Sequence, residues 1–160
     1  MRSRPMLYTN EVSSAYLSSL DDHCFTEQQL AEFNEHALEV ISQRQFYLKT
    51  HPAVAVYRVA AVGSQTRNGG TIKQTTSAMT FKLTNGERVR AAHKGDYVEY
   101  VDGSQAHILT GAGESNSNIA LVGSLLSNGD EIINTPQGSV ILIAREGVQL
   151  AEDFLPLIQN

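Results

Sequence analysis

The chain has 160 residues, of which 12 are glycine and one is cysteine, and its formal net charge is −5. This length is enough to bury a core without disulfide bonds. The acidic balance provides no basic stripe of the kind that binds a nucleic-acid backbone. No apolar run reaches the roughly 18–20 residues of a membrane span, and no apolar stretch follows the basic start as in a secretory signal. We therefore expect cytoplasmic synthesis, no nucleic-acid partner, no membrane span and no cleaved signal peptide.

Glycine divides the chain into regions of different character. All 12 glycines lie at or after Gly63, and the preceding 62 residues contain none. Because glycine marks turns and close backbone approaches, the glycine-free part favours helices and the rest favours short strands. The sequence predicts a helical N-terminal extension over 1–52, a β domain over 53–147 and a C-terminal tail over 148–160.

Two helices are predicted in the extension. Thr26 with Gln29 three residues later forms a capping-box pattern, and apolar residues then recur at helical spacing from about Glu27 to Phe46. A shorter helix is predicted from about Glu11 to Leu20, with Asn10 as its cap.

The β domain is predicted from short apolar runs separated by turn residues. Asn-Gly and Asp-Gly pairs, as at Asn85-Gly86 and Asp102-Gly103, suit tight hairpin turns because both central positions accept a positive φ. The predicted strands cover 53–61, 71–76, 79–84, 88–93, 97–101, 106–110, 120–122, 131–134 and 139–145.

Within this domain a unit recurs three times. Each copy has a Gly-Ser or Gly-Asp corner, a turn glycine, an isoleucine and a small-residue bend, and the interval from Gly63 to Ile72 equals that from Gly123 to Ile132. Three copies indicate pseudo-threefold symmetry, with an ordinary meander of hairpins as the alternative. The corners are Gly63-Ser64, Gly95-Asp96 and Gly123-Ser124.

This arrangement resembles the PAAR-repeat family, whose members sharpen the VgrG spike of type VI secretion and related contractile injection systems. The resemblance spans about residues 57–147 and is clearest at Arg90-Ala91-Ala92-His93, which is followed by Gly95-Asp96. The sequence departs from the family motif at its first and last positions, where Arg90 replaces proline and His93 replaces arginine. The resemblance implies a mainly β fold, a pseudo-threefold β-cone of short strands.

Members of this family hold zinc near the apex through histidine and cysteine side chains. The matching turn positions here are Arg67-Asn68, Val101-Asp102 and Ser127-Asn128, and none of them is histidine or cysteine. His93 and His107 are the only histidines of the β domain, and two imidazoles make a poor structural zinc site. We therefore expect no cofactor, with His93 and His107 as the remaining candidates for zinc.

No residue pattern favours catalysis. His23 and Cys24 are adjacent, a spacing that rarely places a thiol and its base in productive geometry, and no orienting group is evident. The sequence Gly111-Ala112-Gly113 lacks the lysine and following helix of a phosphate-binding loop. We expect a protein that is not an enzyme.

The resemblance implies a structural tip protein that caps a VgrG-like spike trimer, one copy per trimer, and is exported by the contractile apparatus. The three corners would frame the docking surface, whose wide base is expected to expose apolar and backbone groups. Residues 1–52 would dock an effector or adaptor. The alternatives are a small binding module of the immunity type that blocks a partner protein, and a secreted effector.

Overall fold

The computed structural model describes residues 6–22 and 25–156, which divide into two compact units. The first, here called the repeat unit, comprises residues 6–10, 57–142 and 150–156. The second, the helical unit, comprises residues 11–22, 25–56 and 143–149. The chain thus passes between the units at more than one point. The predicted domain boundaries after residues 52 and 147 imply parts that fold independently, and they stay predictions.

The helical unit contains α1 (Ser14–Ser19), α2 (Glu27–Glu32) and α3 (Glu35–Thr50). The capping box of Thr26 and Gln29 is confirmed at the start of α2. The single helix predicted over 27–46 is wrong, because Phe33 has extended backbone angles and the Asn34 side chain caps a second helix. Asparagine favours the cap position because its side-chain oxygen satisfies a free N–H of the first turn. Among the described residues, no helix is both long and apolar enough to cross a membrane.

The predicted cap role of Asn10 is also wrong. The helix α1 starts at Ser14, and the Ser13 side chain caps it. The Asn10 side chain instead accepts a hydrogen bond from the Arg58 N–H and donates one to the Val122 carbonyl, both at 2.8 Å. These two long-range bonds use both the donor and the acceptor of the amide, whereas a helix cap uses only the acceptor.

The fold is mainly β, as predicted, although its strands are short. The strands are β1 (Ala53–Arg58), β2 (Thr80–Lys82), β3 (Arg88–Arg90), β4 (Tyr97–Glu99), β5 (Gln105–His107) and β6 (Ile141–Arg145). They form the pairs β1–β6, β2–β3 and β4–β5. The strands predicted at 71–76, 120–122 and 131–134 are instead isolated bridge pairs, because adjacent residues pair with different segments, as Glu131 does with Leu125 and Ile132 with Thr66.

The three sequence repeats make the same backbone hydrogen bonds. In each copy the corner glycine N–H donates to the carbonyl of the isoleucine of that copy, and the isoleucine N–H donates to the carbonyl of the residue after the glycine. The glycine bonds are Gly63 to Ile72 (2.9 Å), Gly95 to Ile108 (2.8 Å) and Gly123 to Ile132 (2.8 Å). The repeat is therefore structural as well as sequential.

A closed ring of hydrogen bonds joins the three repeats. The Ala60 N–H donates to the Ala120 carbonyl at 2.9 Å, Ala120 donates to Ala92 at 2.8 Å, and Ala92 donates to Ala60 at 2.9 Å. All three alanines have 0% exposed surface. Three backbones that approach this closely leave room for only a small side chain, so alanine fits each position. We call these three residues the alanine ring.

The repeat unit has two apolar clusters, and the alanine ring belongs to the first of them. Since successive side chains of an extended segment point to opposite faces, the alanines and their immediate neighbours enter different clusters. The axial core contains Ala60, Ile72, Ala92, Val98, Ala106, Ile108, Ala120, Leu126 and Ile132. The ring-face cluster contains Val59, Ala61, Phe81, Ala91, Ala112 and Leu121.

Candidate docking frame and turn cluster

The three corners share one side-chain hydrogen bond. In each, the oxygen of the residue after the glycine accepts the backbone N–H of the residue three positions earlier. The bonds run from Ala61 to Ser64 (3.0 Å), from Leu121 to Ser124 (2.9 Å) and from His93 to Asp96 (2.8 Å). Serine and aspartate are interchangeable here because each supplies an acceptor at the same place. This explains why Gly-Ser and Gly-Asp alternate among the repeats.

The corner glycines are equivalent in backbone but differ in surroundings. Gly63, Gly95 and Gly123 have φ values of +99°, +93° and +106°, a region that side chains rarely adopt. A Cβ added at Gly63 would lie 3.3 Å from Pro136, and one at Gly123 would lie 3.5 Å from Leu155. Nothing lies within 4 Å of the same position at Gly95. The docking role of these corners stays a prediction.

The segment matched to the family motif has structural roles. Arg90 ends β3, Ala91 pairs with Ala61, and Ala92 belongs to the alanine ring. The alanines are fully buried, whereas His93 is half-buried and its Nδ1 lies 3.4 Å from the Thr76 hydroxyl. The two central alanines thus lie where the second repeat contacts the first.

The sequence-predicted zinc candidates lie in ordinary surroundings. His107 is exposed on β5, with its ring 6.2 Å from the Tyr97 ring across the β4–β5 pair. Within residues 6–22 and 25–156, no group of three or more histidine, cysteine, aspartate and glutamate side chains could hold a metal ion. His23 and Cys24 lie outside the described residues.

The turns of the three repeats meet around one carboxylate, that of Asp130. Its Oδ2 accepts a 2.6 Å hydrogen bond from the Tyr100 hydroxyl, and its Oδ1 accepts the backbone N–H of Asn68 at 3.1 Å. Oδ1 also accepts the N–H of Glu131 at 2.8 Å. Asn68 belongs to the first repeat, Tyr100 to the second and Asp130 to the third. One carboxylate, with only 2% of its residue exposed, therefore links all three turns.

Asn128 completes this turn cluster. Its side-chain NH₂ group donates to the Tyr100 hydroxyl at 2.9 Å, and its side-chain oxygen accepts a hydrogen bond from the Asp130 N–H at 3.0 Å. Burial tends to raise the pKa of Asp130, but hydrogen bonds from Thr66, Tyr100 and two backbone N–H groups leave that pKa below its usual value. Burial, followed by the bond to Asp130, raises the pKa of the Tyr100 hydroxyl.

The zinc that the family resemblance implies does not fit this cluster. The two oxygens of Asp130 already face N–H and O–H donors, whose partial positive charge opposes a cation at the same oxygens. The neighbouring Asn68, Tyr100 and Asn128 offer neither imidazole nor thiolate, the ligands of structural zinc sites. The cluster is instead a hydrogen-bonded link.

Sequence reasoning missed Tyr100 and Asp130. The aligned repeats contained a signal, because Asp130 is equivalent to Gly70 in the first repeat and Ser104 in the second. The backbone carbonyl of each of these residues accepts a hydrogen bond from the N–H of the residue four positions earlier. An acidic residue at only one of three equivalent positions indicates a single contact that is shared by all three repeats.

A shallow cavity of about 320 Å³ adjoins the turn cluster, and Asn68, Tyr100 and Asn128 contribute to its lining. Asp102 lies at its rim, where hydrogen bonds from the Ser104 hydroxyl and N–H lower the pKa of its carboxyl group. Val101 beside it is fully exposed. This end of the repeat unit presents small polar groups and one apolar side chain.

The helical unit has an apolar pocket of about 540 Å³. Its apolar lining comes from Phe25, Val40, Ile41 and Leu48, and its polar lining includes Arg44 and Lys49. Asp21 also lines this pocket, and its carboxylate forms a two-bond ion pair with Arg145, at 2.7 and 2.9 Å. The hydrogen bond to Asp21 is the main cause that raises the pKa of Arg145.

Comparison of the chain with protein-family models, with curated proteins and with solved structures returned no match.

Proposed function

We propose that this chain is a structural cap for a trimeric VgrG-type spike, bound as one copy per trimer. The observation that carries the proposal is the alanine ring, in which one chain joins a segment of each of its three repeats in one closed cycle of equivalent hydrogen bonds. The resemblance of Arg90-Ala91-Ala92-His93 to the family motif supports the same role, with a PAAR-like β-cone as the architecture.

Symmetry supplies the physical reason. A homotrimer presents three identical chain ends around its axis. A single chain without internal repeats cannot offer the same contact surface to all three of them. Three internal repeats let one polypeptide offer three similar surfaces. The shared corner bonds at Ser64, Asp96 and Ser124 keep those surfaces alike although their side chains differ.

The helical unit would carry the second connection, to an effector or adaptor. Its pocket is mainly apolar and lies on α3 and the segment before α2, within the region that the sequence assigns to this role. The role proposed for the whole chain is mechanical and non-enzymatic, with export by the contractile apparatus that fires the spike.

Co-purification with a trimeric VgrG-type spike protein tests the proposal. Lys94 is exposed directly before the open corner Gly95, so Lys94→Glu should weaken capture of the spike. Lys49→Glu makes the same charge change on exposed α3 and should leave capture unchanged. Circular dichroism of both variants checks that they fold. If the unaltered chain fails to capture the trimer, the proposal is wrong.

A further inference from the structure

The ring-face cluster gathers apolar side chains from all three repeats. Val59 and Ala61 belong to the first repeat, Ala91 to the second and Leu121 to the third, and each is at most 1% exposed. The expectation of apolar groups exposed at a wide base stays a prediction, and the ring-face cluster itself is covered. The residues packed over it are Tyr57, Val89, Ile119, Leu142, Phe154 and Leu155.

The chain segment 151–156 supplies part of that covering, and we call it the cover. The Leu155 N–H donates to the Gly111 carbonyl at 2.8 Å, and the Asp153 carboxylate accepts the Glu114 N–H at 2.9 Å. The Phe154 ring meets the Tyr57 ring edge to face at 4.9 Å. Among the described residues, one backbone bond, from Leu155 to Gly111, therefore joins the cover to the rest of the repeat unit, whereas each alanine of the ring both donates and accepts one.

The cover is also strained and only half-buried. Leu155 has a φ of +42°, a left-handed conformation that costs a leucine conformational energy. Phe154 and Leu155 are half-buried, and the other residues of the segment are exposed. By contrast Phe81, which packs in the same cluster, is only 6% exposed. Segments with few buried contacts open locally before the rest of a fold does.

The cover also makes the three corners unequal. Leu155 Cδ1 would lie 3.5 Å from a Cβ at Gly123, so the cover rests against the third corner, whereas the Gly95 corner is open. Opening of the cover would remove the Leu155 contact at the Gly123 corner and uncover part of the ring-face cluster in the same movement, while the Gly63 corner would still face Pro136.

We propose that residues 151–156 are a removable cover, whose displacement exposes an apolar surface drawn from all three repeats to the strand ends of a homotrimeric partner. The nature of that partner rests on the proposed function. The opening itself does not, because it follows from the contacts, strain and burial of the segment.

Native-state hydrogen exchange of the full chain tests the opening without any partner. The Leu155 amide should exchange at least about tenfold faster than the amides of Ala60, Ala92 and Ala120, at a rate insensitive to low denaturant. Asp153→Ala removes one exposed hydrogen bond and should accelerate Leu155 exchange further while the ring amides keep their rates. Exchange of Leu155 at the same rate as the ring amides would overturn the proposal.

Spike binding provides the second arm. The double variant Phe154→Ser with Leu155→Ser should bind a trimeric VgrG-type spike about tenfold more tightly, because a closed cover lowers the fraction of competent molecules. Leu150→Ser is the control, since Leu150 is 42% exposed and lies outside the ring-face cluster. A folded double variant with equal or weaker binding contradicts the proposed cover.

If the double variant does not fold, Asp153→Ala replaces it in the same assay. If neither variant nor the unaltered chain binds, the proposed function fails and the exchange result alone decides on the cover.

Discussion

The Tyr100 hydroxyl donates a 2.6 Å hydrogen bond to Asp130 Oδ2 and so joins the second repeat to the third. The Asn68 N–H brings the first repeat to the same carboxylate. Among the links between the repeats are this side-chain cluster at their turns and the backbone bonds of the alanine ring. Each of these two links has its own experimental consequence.

Asp130→Asn should destabilise the protein. The amide keeps one acceptor oxygen but turns an NH₂ group towards donors, and an unsatisfied buried polar group costs about 1–3 kcal/mol. The measurement is the free energy of unfolding in urea. Asp102→Asn is the matched control, because the Asp102 bonds stay within its own turn, and it should change little. Equal losses of unfolding free energy in the two variants would contradict the role of Asp130 as the link between the three turns.

Stability should fall at low pH through Asp130. Burial tends to raise its pKa, but the hydrogen bonds from Thr66 and Tyr100 and two backbone N–H groups together lower it below the unfolded value of 3.8. A carboxyl with a depressed folded pKa stabilises the fold above its unfolded pKa and loses that contribution as pH falls through the folded pKa. The difference in unfolding free energy between the wild-type protein and Asp130→Asn should therefore narrow below about pH 4. A difference that stays constant down to about pH 2 would contradict this assignment.

The purified protein should contain no stoichiometric zinc, because the turn cluster is satisfied by hydrogen-bond donors. Elemental analysis of protein prepared without chelator should find far less than one zinc per chain, and added chelator should leave the urea midpoint unchanged. About one zinc per chain would reverse this expectation, and loss of that zinc in His93→Ala or His107→Ala would then locate it.

Deletion of residues 1–50 should leave a β domain that still unfolds cooperatively, but with reduced stability. The deletion removes the backbone pair between Tyr8 and Thr135 and both hydrogen bonds of the Asn10 side chain. Asn10→Ala in the full chain should reproduce part of the loss. Circular dichroism during urea unfolding provides the measurement. Loss of cooperativity in the truncated chain would mean that the predicted boundary near residue 52 divides a single core.

The repeat and its turns could be predicted because they depend on residues that are close together in the chain. Glycine favours a positive φ at a turn such as Gly86, with φ +89°, and at a corner such as Gly123, so the residue type alone indicates the conformation. In the first and third copies, the equal interval from the corner glycine to the isoleucine indicates that equivalent backbone groups meet. The capping box at Thr26 is local in the same way, and it too was confirmed.

The remaining features depend on residues far apart in the chain. Tyr100 and Asp130 meet only because three turns converge, and Asn10 leaves its expected helix cap for partners 48 and 112 residues away. The contact of Phe154 with Tyr57 is of the same kind. Local patterns carry no information about such pairs, so the covered ring face was beyond prediction from the sequence.

The stoichiometry of the complex with a trimeric VgrG-type spike tests the central claim most directly. Native mass spectrometry of the purified complex should show one copy of this chain per spike trimer, because the alanine ring already provides three alike segments within one polypeptide. Free protein measured under the same conditions should be monomeric. Three copies per trimer, or no complex at all, would contradict the account.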